Sequence, residues 1–120
     1  MWNDRMLKIF KNNKVRRIKM KYFSIVSTFR NPVPVDGETL EELIDEHKAY
    51  LQKGFDEGWI LVSGPKSKGG GGIIFMKGAS LKDAENYFSS DPLKKSGVQD
   101  YEIIEFELHD CQPMLKDWFE

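Results

Sequence analysis

The sequence has little cysteine and no long apolar run, and both scarcities narrow the class of protein. Cys111 is the single cysteine in 120 residues, so no disulfide can form within the chain and a reducing compartment is expected. No stretch approaches the roughly 18 consecutive apolar residues that a membrane-spanning helix needs. The apolar segment of a secretory signal is also missing after the basic start. We therefore expect a cytoplasmic protein without a membrane span.

Acidic and basic side chains nearly cancel over the whole chain, but they are unevenly distributed. The formal net charge is −1, from 18 Lys and Arg and 19 Asp and Glu. Residues 1–21 contain eight of the basic side chains and one acid, so the rest of the chain is strongly acidic. Clustered Lys and Arg are needed to contact phosphates. We therefore expect no nucleic-acid binding by the folded domain.

Three segments are predicted: a basic extension at 1–19, one domain at 20–108 and a tail at 109–120. Four apolar residues of the extension could share one helical face: Trp2, Met6, Ile9 and Phe10. Such a face is typical of a membrane-surface or targeting helix, but Asn12-Asn13 interrupts it. We favour one of two simpler interpretations. Either residues 1–19 are a disordered extension, or Met20 is the natural start of the protein and residues 1–19 lie upstream of it. A basic tether to membrane or nucleic acid is the weaker alternative.

From residue 21 onward, strand and helix patterns alternate. Strands are predicted at 21–29, 59–63, 73–77 and 101–108, where aromatic and β-branched residues or apolar–acidic alternation dominate. One helix is predicted from Thr39, which stands at capping-box spacing from Glu42, to a stop at Gly58. A second helix is predicted from a cap at Ser80 to the interruption at Asp91-Pro92.

The resulting order, β-α-β-β-α-β, defines an α+β fold of the ferredoxin-like type. In this fold a four-stranded antiparallel sheet carries two helices on one face. The first three strands are apolar on both sides, so the second face of the sheet needs a cover. We predict a homodimer that packs sheet to sheet or edge to edge. The tail, with Trp118 and Phe119, is predicted to pack on the domain or on the partner subunit.

His47 and Asp91 are the candidates for chemistry. His47 lies within the apolar stripe of the first predicted helix, where a histidine is more commonly a buried core or interface residue. Asp91 followed by Pro92 is a common helix start. Because both helices cover the same sheet face, however, the two side chains could meet. A carboxylate bound to one imidazole nitrogen leaves the other nitrogen available as a base.

Other kinds of site have weaker support. The stretch Gly64-Pro65-Lys66-Ser67-Lys68 and its four following glycines lacks the Gly-Lys-Ser/Thr end of a phosphate loop and leads into a strand. His109 and Cys111 show no metal-ligand spacing. We therefore expect neither a metal nor another cofactor.

The sequence resembles the YCII-related proteins, small ferredoxin-like dimers of the dimeric α+β barrel group. The similarity runs from Met20 to about Leu108. Its landmarks are Met20-Lys21-Tyr22-Phe23, His47-Lys48-Ala49-Tyr50-Leu51, Gly58-Trp59-Ile60-Leu61-Val62-Ser63-Gly64-Pro65, Gly72, Asp91-Pro92-Leu93 and Gly97. The resemblance implies that His47 and Asp91 form a His-Asp dyad beside a cleft bounded by the turn Ser63-Gly64-Pro65. One branch of the family dehydrochlorinates a chlorinated hydroxyquinol, and related barrels isomerise muconolactones.

Two hypotheses follow. In the first, the protein is a cofactor-independent lyase or isomerase that acts on a cyclic or enolisable small molecule, with His47 as general base and Asp91 orienting it. Ser63 and the backbone near Gly64 would stabilise a developing oxyanion, and Arg30 would hold a substrate carboxylate. In the second, the protein is a non-catalytic dimeric module that binds a small molecule or a protein, and the His-Asp contact only joins two helices.

Overall fold

Four strands and three α-helices, followed by a 3₁₀ helix at Pro113–Leu115, lie along residues 19–120, the part of the chain that this computed structural model describes. In chain order they are β1 (Lys21–Phe29), α1 (Gly37–Asp56), β2 (Ile60–Pro65), β3 (Gly72–Gly78), α2 (Leu81–Ser89), α3 (Pro92–Lys95) and β4 (Gln99–Phe106). The predicted α+β, ferredoxin-like order is confirmed, with α3 as a short addition after α2. The predictions for the basic extension lie outside the described residues, apart from Lys19.

The strands form one antiparallel sheet in the order β2-β3-β1-β4. Residues of β1 lie opposite residues of β3 and β4 in a regular register, with Ile25 facing both Ile74 and Ile103. Because successive side chains of a strand point to opposite faces, this register sorts each strand into a helix-covered face and an open face.

The hydrophobic core lies between the helices and the covered face. Phe23 and Ile25 of β1 have no exposed surface, and Trp59, just before β2, is also fully buried. The aromatic ring of Tyr87 in α2 packs edge-on against Trp59, with 4.5 Å between ring centroids. This core fixes α1 and α2 side by side on the sheet, which sets the positions of His47 in α1 and of Asp91 just after α2.

The predicted start of α1 is wrong by about three residues. Asp36, in an extended conformation, is the N-cap, and its carboxylate accepts a hydrogen bond of 2.7 Å from the amide of Thr39. Thr39 is therefore the third helical residue and does not cap the helix. A carboxylate accepts an amide proton more strongly than a hydroxyl does and also suits the positive end of the helix dipole. The predicted stop is confirmed, since Gly58 follows the C-cap with a φ of 84°.

The fourth strand begins at Gln99, two residues earlier than predicted, and ends at Phe106. The prediction began at Tyr101 because the apolar–acidic alternation begins there. Gln99 and Asp100 nevertheless pair with Phe29 and Thr28 of β1. Gln99 is 1% exposed, so this polar side chain occupies a buried position on the strand.

The open face of the sheet carries apolar side chains from every strand. One row runs across all four strands: Val62, Phe75, Ser24 and Ile104. Val62 is 49% exposed and Ile104 is 47% exposed. No helix in residues 19–120 is long and apolar enough to cross a membrane.

The tail covers one end of the open face. The ring of Phe119 packs edge-on against Tyr22, with centroids 4.8 Å apart, and the Tyr22 hydroxyl donates to the Phe119 carbonyl. Trp118 lies beside the ammonium of Lys77, which donates to the Trp118 carbonyl at 2.6 Å. Burial lowers the pKa of Lys77. In this chain the tail therefore packs on its own sheet.

Candidate functional site

His47 and Asp91 meet where α1 passes the start of α3. Nδ1 of His47 lies 2.7 Å from Oδ2 of Asp91. Asp91 is the N-cap of α3, and Pro92 occupies the first helical position. The Asp91 side chain has no exposed surface, whereas the His47 side chain is 17% exposed. The sequence therefore folds so that a helix cap, required locally, also contacts the histidine of another helix.

Asp91 accepts hydrogen bonds on both carboxylate oxygens. Oδ1 accepts from the amide of Leu93 at 2.9 Å. Oδ2 accepts from the Tyr101 hydroxyl as well as contacting His47. Burial, with a further contribution from the charge of Asp91, raises the pKa of Tyr101 well above its usual range, so that this hydroxyl keeps its proton and acts as the donor. These contacts hold the carboxylate in one orientation.

This arrangement selects one tautomer of His47. A carboxylate can only accept hydrogen bonds, so Nδ1 carries the proton in the bond to Asp91. Nε2 then has its lone pair free in the neutral imidazole. Among residues 19–120, no group hydrogen-bonds to Nε2. An imidazole held in this way can accept a proton from a molecule bound beside it.

A cavity of about 390 Å³ lies beside His47. It is bounded by α1, by β2 and β3, and by the ends of β1 and β4. Most of its walls are apolar: Phe29, Ile44, Leu51, Ile73, Ile74 and Leu93. The side chains that bring polar groups to it are Ser27, His47, Lys48, Ser63 and Gln99. A largely apolar pocket with a few polar groups is typical of small-molecule sites.

Of the residues predicted to bind substrate, three lie in the wall of this cavity. Ser63, Gly64 and Pro65 form the end of β2 and line the cavity. Ser63 lies opposite Ile74 of β3 in the strand register, and Ile74 also lines the cavity, so the Ser63 hydroxyl is placed on the same side of the sheet as His47.

Arg30, in contrast, is not in the wall of the cavity. Its guanidinium makes two hydrogen bonds of 3.0 Å to the carboxylate of Asp100. The same carboxylate accepts from Lys94 at 2.6 Å. The side chains of Arg30 and Asp100 are about half exposed. Hydrogen bonds from Arg30 and Lys94 hold the pKa of Asp100 well below its usual range. Arg30 thus belongs to a surface ion-pair group.

The glycine-rich connection between β2 and β3 closes one side of the cavity. Gly71 has a φ of 143°, and a Cβ atom on it would come within 2.0 Å of the Ser27 carbonyl oxygen. The Ser27 hydroxyl oxygen accepts from the Gly72 amide at 2.8 Å, and the Phe29 amide donates to Gly70. The loop is thus bonded to β1 and does not stand free in solvent.

Sequence reasoning missed four side chains around the site: Ser27, Lys48, Gln99 and Tyr101. Lys48 follows His47 on α1, and nothing in its spacing distinguishes it from the other surface lysines. Tyr101 was assigned to the apolar side of a strand, which is correct for its ring but gives no sign of its hydroxyl contact. The sequence did contain a signal for Gln99. It lies two positions before Tyr101, so in an extended strand both side chains are on the same face of the sheet.

We find no candidate metal site in the described part of the chain. Among residues 19–120, no three His, Cys, Asp or Glu side chains lie close enough to hold a metal ion.

Comparisons with known proteins agree on the fold. A family model described as the YCII-related domain matches residues 20–107. No curated protein matches the chain significantly. The structure is similar to 5-chloro-2-hydroxyhydroquinone dehydrochlorinase from Burkholderia phenoliruptrix AC1100, solved in complex with 2,5-dihydroxybenzoquinone. The TM-score is 0.58 and the sequence identity 21%, over 72% of this chain and 93% of the dehydrochlorinase.

A second similar structure is a hypothetical protein of Arabidopsis thaliana determined in solution. Its TM-score is 0.44 at 14% identity, over 78% of this chain and 92% of the plant protein.

Proposed function

The chain belongs to the family of YCII-related domains, and from this premise we propose that it is a cofactor-independent lyase or isomerase. Its substrate would be a small cyclic or enolisable molecule bound in the cavity beside His47. The observation that carries the proposal is the bond of 2.7 Å between His47 Nδ1 and a fully buried Asp91. This bond leaves Nε2 available at the wall of a cavity large enough for a single ring.

In the proposed reaction, Nε2 of His47 takes a proton from a carbon or hydroxyl of the substrate. The electron pair of the broken bond moves into the ring and forms an enolate. In a lyase this pair then expels a leaving group such as chloride; in an isomerase the imidazolium returns the proton to another carbon. The charge of Asp91 stabilises the imidazolium, and the Ser63 hydroxyl with a nearby backbone amide would donate to the enolate oxygen.

The similar dehydrochlorinase supplies the first compound to test, because its name specifies such an elimination. At 21% identity the likeness concerns the fold, so the compound is a starting point for a panel. The panel would extend to other chlorinated hydroquinones and to enolisable lactones. Chloride release and substrate absorbance would be followed with the purified full-length protein.

The decisive variant is His47→Gln, with His109→Gln as the matched control, because His109 is an exposed histidine in the tail. We expect kcat to fall by roughly 10²- to 10⁴-fold in His47→Gln, as for loss of a general base. His109→Gln should retain full activity. Turnover that survives His47→Gln would contradict the mechanism.

Asp91 also offers a reason to consider the second hypothesis, a non-catalytic binding module. Its Oδ1 atom caps α3, so the contact with His47 can be viewed as one more bond between α1 and α3. This module would bind a small molecule without converting it. Ligand binding that leaves every compound of the panel unchanged would favour the module over the enzyme.

We further propose that two copies of the chain associate through the open face of the sheet, in the cytoplasm. The apolar side chains on that face, among them Val62, Phe75 and Ile104, support the association, since exposed apolar surface commonly marks an interface. Ile104→Glu, on the open face, should shift the sedimentation velocity to that of a monomer. Leu81→Glu is the matched control, because Leu81 is similarly exposed, at 40%, on the helix side. Identical sedimentation of Ile104→Glu and the unmodified protein would contradict this interface.

A further inference from the structure

Gln99 is a buried polar side chain at the wall of the cavity. It is the first residue of β4 and is 1% exposed. Its backbone pairs with Phe29 of β1, whose side chain also lines the cavity. Its Nε2 atom donates a hydrogen bond of 2.8 Å to the hydroxyl of Tyr101. The carboxamide is thus held by its nitrogen end.

The direction of this hydrogen bond follows from Asp91. Asp91 can only accept, so the Tyr101 hydroxyl donates its single proton to Oδ2 of Asp91. That hydroxyl must then act as acceptor toward its second neighbour, and the only group of Gln99 that can donate is the NH₂. The charge of Asp91 therefore fixes, through Tyr101, which end of the carboxamide is left for the cavity.

The end that is left is the carbonyl oxygen, Oε1. Within residues 19–120 no group donates a hydrogen bond to it. A buried acceptor without a donor costs free energy, and such groups in folded proteins are normally satisfied by protein, water or ligand. The neighbouring walls are apolar, with Phe29 beside Gln99 in the sheet and Leu93 also in the lining. The missing donor therefore has to come from a molecule inside the cavity.

We infer that Gln99 is a specificity residue that accepts a hydrogen bond from a hydroxyl group of the ligand. The ligand class is then a compact, mainly apolar ring that carries at least one protonated hydroxyl, as a phenol does. The inference deepens the proposed function, because it concerns the same cavity, but it requires only binding and no turnover. The roles are separate: His47 would take a proton, whereas Gln99 would position the ring.

Phenol and fluorobenzene test this inference, because they are similar in size and only phenol donates a hydrogen bond. Affinities would be measured by NMR titration of the backbone amides of Ile44, Ser63 and Leu93, which line the cavity. We expect the full-length protein to bind phenol roughly three- to ten-fold more tightly than fluorobenzene, as expected for one hydrogen bond. Binding of both compounds with equal affinity, or of neither, would overturn the inference.

Gln99→Met keeps the length and volume of the side chain and removes the acceptor. In this variant the preference for phenol should disappear while fluorobenzene binds as before, and a preference that persists would overturn the inference. The two proposals fail separately, because turnover of the panel by His47→Gln tests the catalytic proposal, whereas the phenol preference of Gln99→Met tests only this one.

If Gln99→Met does not fold, Tyr101→Phe provides the alternative. Without the Tyr101 hydroxyl the carboxamide is no longer held by its nitrogen end and is free to turn. The preference for phenol should then fall toward unity. Retention of the full preference in Tyr101→Phe would overturn the proposed orientation of Gln99.

Discussion

Nδ1 of His47 and Oδ2 of Asp91 lie 2.7 Å apart although 44 positions separate the two residues in the chain. The contact joins the middle of α1 to the cap of α3. Because Asp91 is fully buried and accepts from Leu93 and Tyr101 as well, the carboxylate belongs to the core, whereas His47 lines the cavity. Removal of the Asp91 carboxylate should therefore lower the stability of the fold as well as any activity that depends on His47.

Asp91→Asn should destabilise the fold strongly. An amide in this position offers one oxygen where the carboxylate offers two, so at least one of the surrounding donors loses its acceptor. We expect the free energy of unfolding in urea to fall by about 2–4 kcal/mol. The control is Asp100→Asn, the same change at an exposed carboxylate, which should have a much smaller effect because solvent screens its ion pairs. Equal losses in the two variants would contradict the role of Asp91 in the core.

Tyr101→Phe should change the hydrogen bond between His47 and Asp91 without breaking it. Loss of the Tyr101 donor leaves more electron density on Oδ2 for the imidazole, so the bond becomes stronger. We expect the proton resonance of His47 Nδ1–H to move downfield in the NMR spectrum. Tyr87→Phe is the matched control, since the hydroxyl of Tyr87 donates to the Tyr50 carbonyl. An unchanged resonance in Tyr101→Phe, or an equal shift in Tyr87→Phe, would speak against the network.

Gly71→Ala should distort the loop that closes the cavity. The backbone of Gly71 is in a conformation that disfavours side chains, and a Cβ atom there would overlap the Ser27 carbonyl. We expect a loss of more than about 3 kcal/mol in the free energy of unfolding. Gly69→Ala is the control, because Gly69 has a φ of 81° but open space around it. It should cost only about 1–2 kcal/mol, the price of the left-handed conformation. Equal costs would show that the close approach to Ser27 is not limiting.

Much of the fold was predictable because it depends on short-range patterns. The run of aromatic and β-branched residues in β1 and the cap at Ser80 act over a few residues, and both are found where predicted. The start of α1 was misplaced because Asp36 and Thr39 are both good capping residues. Only the backbone conformation of the preceding chain decides between them.

The site was less predictable, since it depends on which residues the sheet register brings together. His47 and Asp91 were identified from helix positions and a family resemblance, and their contact is present in the structure; their catalytic roles stay predictions. Gln99 was missed because a single polar residue before a strand is normally assigned to a loop. Its burial depends on pairing with Phe29, which lies 70 positions earlier in the chain.

The tyrosines of the core predict that the protein loses stability in alkali. Burial, together with the charge of Asp91, raises the pKa of Tyr50 to about 12, and the pKa values of Tyr87 and Tyr101 are raised further. An unfolded tyrosine titrates near 10. Between these values the folded protein binds more protons than the unfolded chain, so unfolding becomes easier as the pH rises. The contribution of these tyrosines to stability is fully present below about pH 10 and is lost above it.

Tyrosinate absorbance should therefore appear together with the loss of near-ultraviolet circular dichroism, in one cooperative step. Tyr87→Phe should weaken the pH dependence of the urea midpoint, because it removes one of the buried hydroxyls. Ionisation of all the tyrosines well before unfolding would contradict this prediction.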